Sequence, residues 1–373
     1  MKYLAVLGRQ PKISLAELEA LFGKVQPLRG ELAEFEAEAL PDIHRLGGTQ
    51  KLAQEITGPV MEYLKNLPRS HKITLGVSDY SRHTSPYEAQ KIALKLKRLL
   101  VKNGYSVRIV PNKTAALSSA VSFHNHLFLK NKIELIKLGN RYFRVFGVQD
   151  INAYVKRDRE RPARDAKVGM LPPKLAQILI NLCGNLHERS FLLDPFCGTG
   201  VVLQEAALMG YIVQGTDINE RMVEYTNKNL KWVWAHDKLR APYLDEFLVE
   251  QGDATNHTWK EPINAVACEV YLGTPMSTPP TDIKLKQEEQ ECGGIIHGFL
   301  KNLARQISSG TPVVIAVPAW LRSDGGYKRL NLLDEIENLG YNVMSFKNLE
   351  QDDLLYHRVG QIVAREIIVL RKK

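Results

Sequence analysis

The sequence predicts an α/β fold: a mostly parallel sheet in the C-terminal half, closed by an antiparallel pair, after an α+β N-terminal half. Three observations predict it. FLLDPFCGTGVVLQE, residues 191–205, is a short apolar run that ends in an acid, turns through glycines and enters a helical apolar pattern. Two later runs, IVQGTDIN and FLVEQGDAT, again lead through Gly to Asp. Upstream, strand-like runs alternate with helical ones, YLAVLG before SLAELEALFG and KITLGVSD before PYEAQKIALKLKRLLVKNG.

A length of 373 residues suggests two or three domains, and 44% hydrophobic residues suit a soluble globular chain. The net charge of +9, with a pI near 9.2, favours a polyanionic partner, although a generally basic surface would give the same numbers. Cys183, Cys197, Cys268 and Cys292 show no C-x-x-C spacing, so they read as reduced thiols of a cytoplasmic protein rather than a disulfide frame or a metal site. Tyr3–Leu7 is too short for a signal peptide, and no apolar run is long enough to span a membrane.

Along the chain, YLAVLG is a strand. SLAELEALFG is a helix with Ser14 and Glu17 in the spacing of a capping box, and Leu15, Leu18, Leu21 and Phe22 as its stripe. In the helix that stops at Gly104, Lys91, Lys95, Arg98 and Lys102 recur at steps of four, three and four. Ile92, Leu96, Leu99 and Leu100 take another face. Such a row suits phosphates, and equally a solvated face. In ALSSAVSFHNHLFL the His124/His126 pair lacks any companion at ligand spacing, so no metal is expected. From Arg157 to Asp165 arginines interleave with acids, followed by Pro172 and Pro173. This reads as a basic linker that follows an RNA backbone or ties two domains through ion pairs. LPPKLAQILINL then opens a helix with Leu175, Ile178, Leu179 and Leu182 on one face.

The 191–205 stretch carries the chemistry. Glycine lets backbone approach a ligand and take positive φ. A phosphate loop needs Lys and Ser/Thr after its last Gly, where Val201 and Val202 stand, and only Gly198-Thr199-Gly200 of a dinucleotide fingerprint is present. An acid at the head, Asp194, suits a ligand with a cationic end, which favours S-adenosylmethionine. Asp217, about 20 residues on, is placed to bind ribose hydroxyls, and Asp253 to accept from an adenine amino group. An ordinary packing loop and turn-capping acids are the plainer alternative.

DPFCGTG, GTDIN and QGDAT, with RDRERPARDAKVGMLPPKLAQILINL upstream, resemble the class I S-adenosylmethionine-dependent methyltransferases. More closely, they resemble the THUMP-containing tRNA guanosine N2-methyltransferases that act at position 10. The resemblance implies a ferredoxin-like segment over 1–65, a THUMP RNA-binding segment over 66–150, a linker over 151–172 and a Rossmann-like methyltransferase domain over 173–373. It implies cofactor contacts from Asp194, Phe196, Gly198, Gly200, Asp217, Ile218, Asp253 and Ala254. It also implies tRNA as partner, its 3′ end bound by the THUMP segment, with Arg108, Ser118, Ser119 and Asn125 as candidates beside the lysine row. Some relatives use a small activating subunit.

Family members carry Asp-Pro-Pro-Tyr, or Asn for Asp, after the fourth strand. Here INAVACEVYLG puts Cys268 at the acid's position, Glu269 and Val270 at the prolines and Tyr271 at the Tyr. Cysteine is a weak acceptor, so Glu269 is expected to polarise the guanine amino group and Tyr271 to stack the base. Two other readings compete. One is a catalytically silent tRNA-binding protein on the same scaffold; the other is a DNA amino-methyltransferase. TPMSTPPTDIKLKQEEQECGG reads as a loop over the site, TPVVIAVP as the fifth strand, and YNVMSF with GQIVAREIIVLRKK as the closing pair. Arg358 and Arg365 are either RNA contacts or partners in surface salt bridges.

Overall fold

The computed structural model describes residues 1–165, 170–237, 240–260 and 262–373. The chain divides into two compact units, Met1–Pro11 with Phe22–Ala153, and Lys12–Leu21 with Tyr154–Lys373.

The first unit carries strands β1 (Lys2–Leu7), β2 (Val25–Pro27), β3 (Leu32–Glu36), β4 (Thr49–Glu55), β5 (Ile73–Asp79), β6 (Val107–Ile109), β7 (Phe128–Leu129), β8 (Lys132–Leu138) and β9 (Arg141–Val148). They form one mixed sheet in the order β2-β3-β1-β4-β9-β8-β5-β6, with β7 on β8. Strands from both expected N-terminal segments share this sheet, β4 lying antiparallel to β9. Helices α2 (Val60–Lys65), α3 (Pro86–Lys102) and α4 (Ser119–His124) complete the unit.

In α3 the buried positions are Ala89, Ala93, Leu96 and Leu100. Lys91, Lys95, Arg98 and Lys102 each follow one of these by two residues, about 200° round the helix, and all are exposed. Leu99 corrects the expected apolar face. It lies about 100° from Leu100 and is 38% exposed.

Helix α1 (Pro11–Phe22) precedes β2, and its residues 12–21 belong to the second unit. It starts at Pro11 rather than at a Ser14 cap, since proline is at ease in a first turn. Glu17 is fully buried and accepts from Asn181 Nδ2 at 2.7 Å, so the capping box does not form.

The expected linker lies partly outside the described residues, at 166–169, and it opens as a helix, α5 (Ile151–Arg159). Arg157 is buried and pairs with Glu205 through Nε at 2.6 Å, and Arg161 is 2% exposed. These two cations are therefore structural and do not line a surface.

The second unit continues with α6 (Pro173–Leu182), β10 (Phe191–Asp194), α7 (Val201–Leu208), β11 (Ile212–Asp217), α8 (Glu220–Asp237), β12 (Leu248–Gln251), β13 (Ala265–Glu269) and α9 (Asp282–Leu303). It ends with β14 (Pro312–Leu321), β15 (Tyr327–Arg329), α10 (Leu333–Ile336), β16 (Tyr341–Val343), β17 (Leu355–Tyr356) and β18 (Val363–Lys372). The sheet order is β12-β11-β10-β13-β14-β18-β16, with β15 on β14 and β17 on β18. Strands β10 to β14 are parallel, and β18 runs antiparallel between β14 and β16. The chain lays β11 and β12 to one side of β10, then returns to place β13 and β14 on the other. That reversal opens a crevice at the carboxyl ends of β10 and β13.

The expected loop after β13 is shorter than the sequence suggested. Thr281 accepts from the Lys284 amide and caps α9, so the residues from Asp282 onward are helical.

Candidate cofactor and catalytic site

Asp194 ends β10 and is 2% exposed. Its Oδ1 accepts from the Phe196 amide at 3.0 Å. Burial pushes its pKa well above the usual carboxylate range, the Phe196 bond opposes this, and the negative charges of Asp217 and Glu269 add to the rise. The loop beyond it is held from several sides. The Gly198 amide donates to Asp217 Oδ2 at 2.9 Å, Thr226 Oγ1 donates to the Gly198 carbonyl at 2.8 Å, and Asn229 Nδ2 donates to the Thr199 carbonyl at 2.8 Å. Gly200 has φ +79°, and a Cβ there would stand 2.8 Å from Thr226 Cγ2, so both conformation and space require glycine. Helix α7 starts at the next residue, which turns its free amides toward the crevice.

Asp217 ends β11. Its other oxygen accepts from the Asn219 amide at 2.9 Å, and burial raises its pKa against these two amide bonds. Each oxygen keeps a second lone pair. Beside it Ile218 is 69% exposed, an apolar side chain held outward at the strand end. Asp253 follows β12 and accepts from Thr255 N at 2.9 Å and Thr255 Oγ1 at 2.8 Å, as a turn residue does. Ala254 is buried, its carbonyl accepting from Asn302 Nδ2 on α9. Phe196 is half-buried, with its ring edge-on to Phe299 at 5.1 Å. The strand ends thus bring together Asp194, Phe196, Gly198, Gly200, Asp217 and Ile218, with Asp253 and Ala254 on the next turn.

At the end of β13, Cys268 is fully buried and burial raises its thiol pKa further. Glu269 is the accessible acid, its side chain 16% exposed and ion-paired to Arg365 Nε on β18. This corrects the reading of Arg365 as an RNA contact or surface ion pair: its side chain is 6% exposed and its partner is the candidate catalytic carboxylate. Arg358 is exposed. Tyr271 is half-buried against the core cluster around Phe299, and burial, then Glu291 and Glu288, raise its pKa. Beyond it Thr274 is pinned to α9. Glu288 accepts from the Thr274 amide at 3.0 Å and from its hydroxyl, and pairs with Lys284 at 2.7 Å.

Sequence reasoning missed Arg365 as a partner of Glu269, and Thr226, Asn229 and Glu288 as supports. Each acts on a residue between 14 and 96 positions away, so no local spacing signalled it. Two clefts of about 430 and 320 Å³ lie elsewhere, lined by Asn185–Phe191 and by residues flanking Pro262. They open at the amino ends of the strands, away from the loops described. Among the described residues no cluster of His, Cys, Asp and Glu could hold a metal ion.

Residues 161–288 match the UPF0020 family model, described as an RMKL-like methyltransferase domain. This stretch is a UPF0020 methyltransferase domain. It is similar to the tRNA (guanine(10)-N2)-dimethyltransferase of Methanothermobacter thermautotrophicus, 32% identical over 153 residues, covering 41% of this chain and 40% of that protein. A protein of the same description from Methanocaldococcus jannaschii is 29% identical over 235 residues, covering 61% of this chain and 58% of that protein. The matches therefore span between about two fifths and three fifths of these relatives' lengths. The crystal structure of TrmN from Thermus thermophilus aligns over 100% of both chains with a TM-score of 0.49 and 15% identity. The UPF0020 domain belongs to the S-adenosylmethionine-dependent methyltransferases, and its own donor set fits that cofactor. A buried carboxylate at Asp194 suits a cationic amino acid end, the backbone at Gly198, where a Cβ would meet nothing nearer than 4.0 Å, stays open beside it, and exposed Ile218 beside Asp217 suits a flat base above a ribose.

In the first unit the candidate RNA residues fall into two groups. Lys91, Lys95, Arg98 and Lys102 line the outer face of α3. Arg108 Nη2 donates to Asn125 Oδ1 at 3.3 Å, which brings these two candidates together at the end of α4. Ser118 is the N-cap of α4, its Oγ accepting from the Val121 amide at 3.3 Å, and Ser119 opens the helix. No described helix is long and apolar enough to cross a membrane.

Proposed function

We propose that this chain is a tRNA methyltransferase that transfers a methyl group from S-adenosylmethionine to N2 of a guanosine, at position 10 as in the named relatives. The observation that carries the reading is the loop from Asp194 to Gly200 at the strand ends, with an acid held at the end of the neighbouring strand. Asp194 binds the ammonium end of the cofactor, Asp217 its ribose and the Asp253–Ala254 turn its base. S-adenosylmethionine supplies the electrophilic methyl. Guanine N2 is a weak nucleophile because its lone pair is spread into the ring, so the protein must polarise the amino group and hold its nitrogen in line with the methyl carbon, opposite the carbon–sulfur bond that breaks to leave S-adenosylhomocysteine. Glu269, fixed by Arg365, accepts a hydrogen bond from N2 and draws off its proton as the N–C bond forms. Tyr271 faces the extruded base. The exposed row on α3 binds tRNA phosphates, and Arg108 with Asn125 contacts the 3′ end. Four buried cysteines kept as thiols suit the reducing cytoplasm.

One observation favours the silent reading: Glu269 is already engaged by Arg365, as a purely structural pair would be. Nucleoside mass spectrometry of an unmodified tRNA transcript after incubation with protein and cofactor decides. N2-methylguanosine with wild type, and none with Glu269→Gln that still binds cofactor, is expected. tRNA that is bound but unmethylated would leave the silent scaffold, and methylation of duplex DNA alone would leave the DNA enzyme.

A further inference from the structure

Inside the first unit a lysine and a glutamate are buried together, Lys51 1% and Glu134 0% exposed. Lys51 Nζ, on β4, donates to Glu134 Oε1 on β8 at 2.5 Å and to the Leu117 carbonyl at 2.6 Å. Ser78 Oγ, on β5, donates to the same Glu134 oxygen at 2.6 Å and accepts from the Leu117 amide at 2.9 Å. Ser122 Oγ, on α4, donates to Glu134 Oε2 at 2.5 Å. The Glu134 amide donates to the Leu127 carbonyl at 2.9 Å. The Leu117 end and the middle of the Leu117–Leu127 turn are thus tied to one buried charge pair, and the Leu127 end to the backbone of the same glutamate.

Stability alone does not explain this. Well-packed apolar residues in place of a buried ion pair are often neutral or stabilising, and α4 is too short to hold its shape unaided. An apolar pair could not grip the Leu117 carbonyl and the Ser122 hydroxyl. We propose that Lys51 and Glu134 are positioning residues: they fix the turn that presents Ser118, Ser119 and Asn125, and so set affinity for tRNA without touching it. This rests on the tRNA reading above.

The test compares wild type, Ser122→Ala and the double variant Lys51→Met with Glu134→Leu. The double variant removes both charges together but leaves the Leu117 carbonyl and the Ser78 hydroxyl without these partners, so it is expected to fold with a melting temperature lowered by only a few degrees. Hydrogen exchange is expected to quicken from Leu117 to Leu127. Affinity for an unmodified tRNA transcript is expected to fall about tenfold, with cofactor affinity unchanged. Ser122→Ala moves the same readouts by less and keeps the test open should the double variant not fold. Unchanged tRNA affinity in folded variants overturns the proposal, as does unchanged exchange. A wild-type protein without tRNA affinity overturns the functional reading instead, and exchange still judges the anchoring.

Discussion

Asp194 and Asp217 hold protons more tightly in the folded protein than in the unfolded chain, because burial disfavours their charged forms. The stability this gives is fully present below the ordinary carboxylate pKa and is lost as pH rises through the raised folded values. Cofactor binding runs the other way. An ammonium against Asp194 favours the carboxylate, so affinity increases with pH and binding releases a proton. Calorimetry at about pH 5, above the ordinary Asp value of about 3.9, in buffers of different ionisation heat should show that release. Asp194→Asn should abolish it and weaken binding by about 10- to 100-fold, the worth of a charge-assisted hydrogen bond. At the end of β13 the carboxylate and its guanidinium should separate cleanly. Glu269→Gln should lower kcat by at least about a hundredfold and spare cofactor affinity. Arg365→Met leaves the half-buried Glu269 without its cation, and denaturant unfolding should show a loss of about 2 kcal/mol.

The cofactor loop and α3 test how elements carry these residues. Gly200 joins β10 to α7 through a left-handed residue pressed against Thr226. Gly200→Ala should therefore cost about 2 kcal/mol in thermal unfolding. Adding Thr226→Ala should recover only part of it, since the strained φ remains. On α3 the repeat of buried Ala89, Ala93, Leu96 and Leu100 obliges the residues two further on to face solvent. Replacing Lys91, Lys95, Arg98 and Lys102 by Gln should leave folding intact. It should weaken tRNA binding and flatten its salt dependence by about one logarithmic unit of slope for each phosphate no longer neutralised.

Over the whole molecule, the second unit recruits residues 12–21 from the far end of the sequence. Glu17 bonds Asn181, Glu19 accepts from Asn348 Nδ2 at 3.1 Å, and Asn185 Nδ2 donates to the Leu21 carbonyl at 2.7 Å. A fragment of residues 154–373 loses these three hydrogen bonds, each worth about 0.5–1.5 kcal/mol. It should melt below the full chain in calorimetry, and a peptide of residues 11–22 should raise its melting temperature.

What was legible in the sequence was whatever is written in neighbouring residues. An apolar run of four or so residues that stops at Asp194 and breaks into glycines dictates a strand, a turn and a helix. The steps of α3 likewise dictate which side chains meet water. Such signals are local because backbone conformation and helical phase are local. The rest waited on tertiary structure, for the reason that a folded chain satisfies its charges across space. Arg365 reaches Glu269 over 96 positions of sequence and Lys51 reaches Glu134 over 83. Glu17, which fits a cap by spacing, is buried against a helix 164 residues away. No periodicity encodes such meetings, because they depend on which strands the sheet places side by side.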